Sequence, residues 1–130
     1  MSAIDITHLQ TWVGKQETLV DDISLFPAQA LAAALDNENL PQKEDDLPPF
    51  WEWMYFLPTP KASATGVDGH PAKGGFLPPV PLPRRMWAAG EASYLQALKI
   101  GQAATRVSTI ESVELKEGST GTLVFVAVKH

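Results

Sequence analysis

GGFLPPVPLPRR, residues 74–85, decides how this chain is to be read. All of the 11 prolines except Pro27 lie between Pro41 and Pro83, a density that ordinarily marks a disordered linker. The same block carries Phe50, Trp51, Trp53, Tyr55, Phe56 and Phe76, which such linkers lack. The combination predicts an ordered, irregular, aromatic-rich segment over residues 41–85, packed on a sheet. Ordered irregular segments on rigid scaffolds are where binding sites concentrate.

On its C-terminal side, Met86, Ala88, Gly90, Ala92 and Tyr94 alternate with Trp87, Ala89, Glu91 and Ser93. That alternation predicts a long strand over residues 86–98, with Gly90 as a bulge or bend. Residues 99–102 read as a turn, and residues 105–115 as a second strand with mixed alternation. EGSTG, residues 117–121, reads as a hairpin loop. TLVFVAVK, residues 122–129, is apolar on both faces and reads as a central strand. The whole is a strand meander over residues 86–130.

On the N-terminal side, Ile6, Leu9, Trp12 and Val13 share a helical face, predicting a helix over residues 3–13. Ser2 with Asp5 resembles a capping box, and Gly14 supplies the stop. Residues 17–23 read as a short strand. Ser24 is a good N-cap, with Pro27 in the first turn of a helix ending near Asp36. Its apolar stripe is Phe26, Ala30, Leu31, Ala34 and Leu35. Residues 37–49 are acidic and loop-like, with Glu44, Asp45 and Asp46 as a solvated face. FWEWMYFL, residues 50–57, is confined by Pro49 and Pro58 to one or two helical turns or a short strand. Residues 59–73 read as an exposed loop turning at Asp68 and Gly69. Two front helices and an antiparallel meander make an α+β class, one domain over residues 1–130 without internal repeats.

Composition narrows the function. A net charge of -5, with Arg84-Arg85 the sole adjacent basic pair, argues against a nucleic-acid partner. With no cysteine there is no disulfide framework, thiolate metal site or thiol nucleophile. No apolar run is long enough to span a membrane, and the start, MSAIDITHLQ, lacks a signal-peptide pattern, so a cytoplasmic protein is expected. His8, His70 and His130 read as surface residues, none with a carboxylate at an orienting spacing, and no cluster has metal-ligand spacing. Ser93, Ser108, Ser112 and Ser119 lack a nucleophile elbow, and Gly74-Gly75 is no phosphate loop. Nothing visible performs chemistry alone.

FWEWMYFLP, then DGHPAKGGFLPPVPLPRRMWAAGE, then KIGQAATRVSTIESVELKEGSTGTLVFVAVKH together resemble the N-terminal half of MaoC-like dehydratases. The nearest branch is the hydroxyacyl-thioester dehydratase type 2 and mesaconyl-CoA hydratase group. The resemblance runs from about Glu17 and is strongest over residues 57–130. It implies a hotdog fold, an antiparallel sheet wrapped around a helix, here with a short or incomplete central helix. No second long amphipathic helix follows Leu35, in keeping with that expectation. The superfamily's catalytic Gly-Asp-x-Asn-Pro-x-His stretch is missing; Gly66-Val67-Asp68-Gly69-His70-Pro71 has the wrong order and spacing and reads as a turn.

The resemblance therefore implies a non-catalytic half of an acyl-CoA hydratase or dehydratase. It would shape the acyl-thioester pocket and pair with a catalytic hotdog domain or subunit. Coenzyme A enters as part of the substrate, with no resident cofactor. The alternatives are a stand-alone homodimer binding acyl-CoA without catalysis, and a purely structural interaction domain. Arg84 and Arg85, fixed behind the proline run, are candidates for the coenzyme A phosphates, or else cap a strand or pair with Glu91 or a loop acid. Trp53, Phe56, Phe76 and Trp87, with Trp51, are candidate walls of an acyl tunnel, or else core.

Overall fold

A computed structural model of the chain describes residues 3–130. Its sheet has three antiparallel strands, β1 (Gln16–Asp22), β2 (Ala103–Gly118) and β3 (Gly121–Lys129), in the order β1-β2-β3. Two helices precede β2: α1 (Ile6–Leu9), continued as a 3-10 turn over Gln10–Trp12, and α2 (Leu25–Ala34). Backbone hydrogen bonds fix β1 against β2 at both ends. Gly14 N donates to Ile110 O (2.8 Å) and Ile110 N to Lys15 O (3.0 Å) at one. Ile23 N donates to Gln102 O (2.8 Å) and Gly101 N to Ile23 O (2.7 Å) at the other.

The β2–β3 hairpin closes at the Gly118–Gly121 pair, so EGSTG is the turn expected of it, with Gly121 at φ 134. The mixed alternation of β2 also has a cause. Its register against β3 shifts between Ile110 and Ser112, so Glu111 is an extra residue, a bulge. The buried side accordingly steps from Ser108 and Ile110 to Val113.

By its contacts the chain forms two compact units. The first takes the described residues through Thr18, with Pro58–Trp87 and Val107–His130. Its core is Leu9, Ile110 and Val113, packed by Ile4, Ile6, Phe76, Leu77, Val80, Val124, Val126 and Val128. Asp5 caps α1, its carboxylate accepting from His8 N at 3.0 Å. The helix is shorter than expected because the Asp5 cap starts it at Ile6 and it tightens after Leu9 into the 3-10 turn; Gly14, at φ 90, then turns the chain into β1. Ser2, the other half of the anticipated capping box, lies outside the described residues.

The second unit is Leu19–Leu57 with Ala88–Arg106. Its core is Ile23, Ala28, Leu47, Tyr55, Phe56 and Ile100. Ser24 stands at the N-cap position of α2 in an extended conformation, but its side chain makes no capping hydrogen bond. The buried face is not the one anticipated. Ala28 and Ala32 are buried, whereas Phe26 and Leu35 are 77% and 57% exposed. Gln29 is the lone polar residue of α2, so apolar pattern cannot select a face; the small alanines permit the closest approach. The acidic loop is tied by its backbone. Glu44 N donates to Ile100 O (2.9 Å), Ile100 N to Asp45 O (3.0 Å) and Leu47 N to Leu98 O (2.7 Å), while Asp46 pairs with Lys99. The acidic side chains stay exposed, as expected of a solvated face.

Two strand expectations need correction. Residues 86–98 form no strand, and Met86, Trp87 and Leu95 are 82%, 72% and 100% exposed. Alternation reports which residues would share a face, but a strand exists only through a neighbour that takes its N–H and C=O groups in succession, and along this stretch the described residues show one such backbone bond, Leu47 N to Leu98 O at its very end. β3 is an edge strand, with β2 in the centre. Its apolar character on both faces reflects Val124, Val126 and Val128 on the core and Leu123 and Phe125 on the other side.

Ile110 is 0% exposed and Val20 is 71% exposed. Ile110→Ala is expected to cost about 2–5 kcal/mol, and Val20→Ala under about 1 kcal/mol, read as shifts of the denaturant midpoint at unchanged slope. Both tyrosines of the chain, Tyr55 and Tyr94, are held above the ordinary phenol value of 10.0. Burial is the main cause for Tyr55, with the Asp21 charge adding and the backbone at Ala28 opposing. For Tyr94 it is desolvation, then the hydrogen bond to Glu52, with Phe50 N opposing. A raised folded value gives stability that is complete below 10.0 and lost as pH rises through it. Tyrosinate absorbance should thus appear above the ordinary midpoint, with stability declining in the same interval; titration at or below it would contradict both environments.

Candidate functional site

In the second unit, FWEWMYFL resolves into a 3-10 turn over Trp51–Met54. Left-handed backbone brackets it on both sides, Phe50 at φ 70 and Phe56 at φ 57. Bulky residues rarely adopt that conformation, at a cost of roughly 1–3 kcal/mol each. A distant side chain pins each of these two N–H groups. Phe50 N donates to Tyr94 Oη (2.8 Å) and Phe56 N to Asp21 Oδ2 (2.9 Å). Tyr94 Oη in turn donates to Glu52 Oε1 at 2.5 Å, and Tyr55 Oη to Ser24 O at 2.6 Å. The strained bends therefore persist because groups on β1, α2's N-cap and residues 88–106 over-determine them.

Those bends sort the aromatic residues. Phe56 is turned into the core, 8% exposed. Trp53 is turned out, 64% exposed, with its ring edge-on to Phe50 at 5.5 Å. Phe50 also meets Tyr94 edge-on at 5.9 Å. Over the Phe56 ring, 5.6 Å from its centre, lies the guanidinium of Arg106. The Nε of Arg106 is buried and has no hydrogen-bond partner among the described residues.

In the first unit, the proline segment offers carbonyls but few N–H groups, and cations satisfy them. Lys73 Nζ donates to Val80 O (3.0 Å) and Leu82 O (2.6 Å). Lys15 Nζ and Trp12 Nε1 both donate to Gly75 O, at 2.6 and 3.0 Å. Phe76 packs on the Leu9, Ile110 and Val113 core. Arg85 Nε pairs with Asp68 Oδ2 at 3.4 Å beside a groove of about 280 Å³ lined also by Lys73, Leu82 and Pro83. Asp68 is lowered below its ordinary 3.8, first by the backbone N–H of His70 and then by Arg85. The residues 66–71 are thus a turn, with Gly69 at φ 81 and Gly66 N bonded to His70 O at 2.7 Å. Arg84 and Trp87 are exposed.

Of the anticipated binding residues, the structure keeps Arg84, Arg85, Phe76 and Trp87 in the first unit and Trp53 and Phe56 in the second. His8 stacks edge-on to Trp12 at 5.4 Å, and Ser108 Oγ lies 2.7 Å from His130 Nδ1. No metal-binding group of His, Asp or Glu occurs among the described residues. Sequence reading did not single out Tyr94, Asp21 or Arg106. Nothing in a sequence marks the first two, whose roles depend on distant N–H groups. Arg106 had a signal: it is in phase with Ser108 and Ile110, the buried side of β2.

Comparison with known proteins agrees with this architecture. Residues 50–130 match the family model of hydroxyacyl-thioester dehydratase type 2. The chain is 44% identical over 120 residues to a mesaconyl-C(4)-CoA hydratase of Chloroflexus aurantiacus, covering 92% of this chain and 43% of that protein. It therefore spans less than half the length of that curated relative. The family model takes in the bracketed aromatic turn, the proline segment, β2 and β3, and on the strength of these matches the chain belongs to the hydroxyacyl-thioester dehydratase type 2 family, hydratases and dehydratases of the hotdog fold, with which a three-stranded antiparallel sheet and short helices are consistent.

Proposed function

We propose that this chain is a non-catalytic hotdog that holds an acyl-coenzyme A thioester and pairs with a second hotdog carrying the catalytic groups. The observation behind this reading is a mismatch. The chain is similar over most of its length to a hydratase, yet it contains no Gly-Asp-x-Asn-Pro-x-His stretch. Hydration of an enoyl thioester needs one group to activate water and another to deliver a proton to the alpha carbon. Among the described residues, His8 and His70 sit in local turns and caps, and the Asp68–His70 contact is a backbone turn. The open edge of β3 supports pairing, because a nine-residue, largely apolar edge strand invites another strand. The coenzyme A thioester is the substrate, and the residues require no further cofactor for binding it.

Arg84 is the first unit's candidate for a coenzyme A phosphate. It is exposed and has no partner among the described residues, whereas Arg85 is engaged by Asp68 and Lys73 by two carbonyls. Trp87 and Phe76 are its candidates for apolar contact with the ligand, and Trp53 and Phe56 are those of the second unit.

The pure chain should bind crotonyl-CoA or mesaconyl-CoA without turning either over, and appreciable hydration by the chain alone would overturn the reading. Native mass spectrometry of the protein from its source should find a second hotdog-bearing polypeptide segment; a complex of this chain alone would favour a homodimeric binding module. Arg84→Ala should weaken coenzyme A thioester binding roughly fivefold, and less so at high salt, by calorimetric titration.

A further inference from the structure

On β2, Ala104, Arg106, Ser108 and Ile110 form the less exposed side, while Val107 on the opposite side is 45% exposed. Burial alone selects the reverse, valine inward and arginine outward. Such a local inversion marks a functional or strained position. Arg106 is only partly exposed, and its Nε is buried with no acceptor. No carboxylate among the described residues pairs with it. Asp21, the acid that reaches the same segment, spends its Oδ2 on Phe56 N. What holds the guanidinium is the face of Phe56, at 5.6 Å, and Phe56 is itself fixed by strained backbone. Such a guanidinium, oriented by a ring and short of an acceptor, is a receptor for a planar anion.

We infer that Arg106 receives a free carboxylate on the acyl group of the bound thioester, making the substrate class a dicarboxylic acid joined to coenzyme A at one end. This rests on the acyl-thioester reading above and narrows it. An unbranched apolar acyl chain would leave a partly desolvated cation unpaired, an arrangement that disfavours it. A carboxylate would supply the missing acceptor and remain in contact with Phe56.

The test is equilibrium binding of mesaconyl-C(4)-CoA and crotonyl-CoA, which lacks the free carboxylate, to the chain as purified with whatever partner accompanies it. The wild type should prefer the mesaconyl thioester by roughly 10- to 100-fold, the range of a charge-assisted hydrogen bond. Arg106→Gln should abolish that preference and leave crotonyl-CoA binding unchanged, and Arg106→Lys should retain part of it. Equal affinity of the wild type for the two thioesters overturns the inference, even if the variants fail to fold. So does an equal loss for both in Arg106→Gln, or weakened assembly with the preference intact, which would assign the anion to a partner chain. If neither thioester binds the wild type, the acyl-thioester reading falls along with it.

Discussion

The pairing of β2 with both of its neighbours is the interaction on which the remaining structure depends. β2 is the longest element, and its ladder to β1 runs from Ile110 near Gly14 to Gln102 near Ile23. Ile110 and Val113 of β2 anchor the first core, and Ala104 borders the second. The bulge at Glu111 lets one strand serve this arrangement. Without the extra residue, a strict two-residue repeat would carry Val113 to the open side together with Glu111. The bulge keeps an apolar residue on the core on each side of it.

A second constraint is set by proline. Pro78, Pro79, Pro81 and Pro83 have no N–H to give a sheet, so their segment cannot be a central strand. Its carbonyls still need donors. Lys73, Lys15 and Trp12 supply them, and the segment is ordered without regular structure. The same arrangement explains why Lys73 is not free to bind an anion. Composition suggests a basic neighbourhood of Lys73, Arg84 and Arg85; contacts leave Arg84 alone uncommitted among the described residues.

Features with local causes were legible in the sequence. Ser24 before α2, Gly14 after the first helix, the Asp68–Gly69 turn and the EGSTG hairpin each follow from backbone requirements of a few neighbouring residues. Features with distant causes were not. Residues 86–98 alternate as a strand does, but alternation contains no information about a neighbour to pair with. β3 looks central because both its faces are apolar, yet centrality is a property of the sheet. The buried side of α2 was ambiguous because nine of its ten residues, LFPAQALAAA, are nonpolar. Within the candidate site, aromatic identity singled out Trp53 and Phe56, whereas their opposite orientations follow from left-handed bends held by Asp21 and Tyr94. Arg106 lay in plain view in β2, obscured because the bulge breaks the alternation that would have exposed it as inward-facing.

The edge of β3 gives physical content to the pairing proposed for this chain. Edge strands are ordinarily protected by prolines, inward charges, bulges or brevity. β3 has nine residues and no proline, and Lys129 is its single charge, at the far end. The bulge that interrupts the ladder lies on β2, the central strand, where it does nothing to protect the outer edge. One mitigation is visible: Lys116 of β2 lies over the Phe125 ring at 4.6 Å and covers part of the open face. It shields a ring, but leaves the outer N–H and C=O groups of β3 without sheet partners among the described residues. A strand built in this way is disfavoured in a protein that stays alone and suited to one whose sheet continues into another hotdog. Strand pairing across that edge would require backbone complementarity rather than any particular side chain, so it would place little constraint on the sequence of β3 beyond β-branched and apolar residues. TLVFVAVK meets that description.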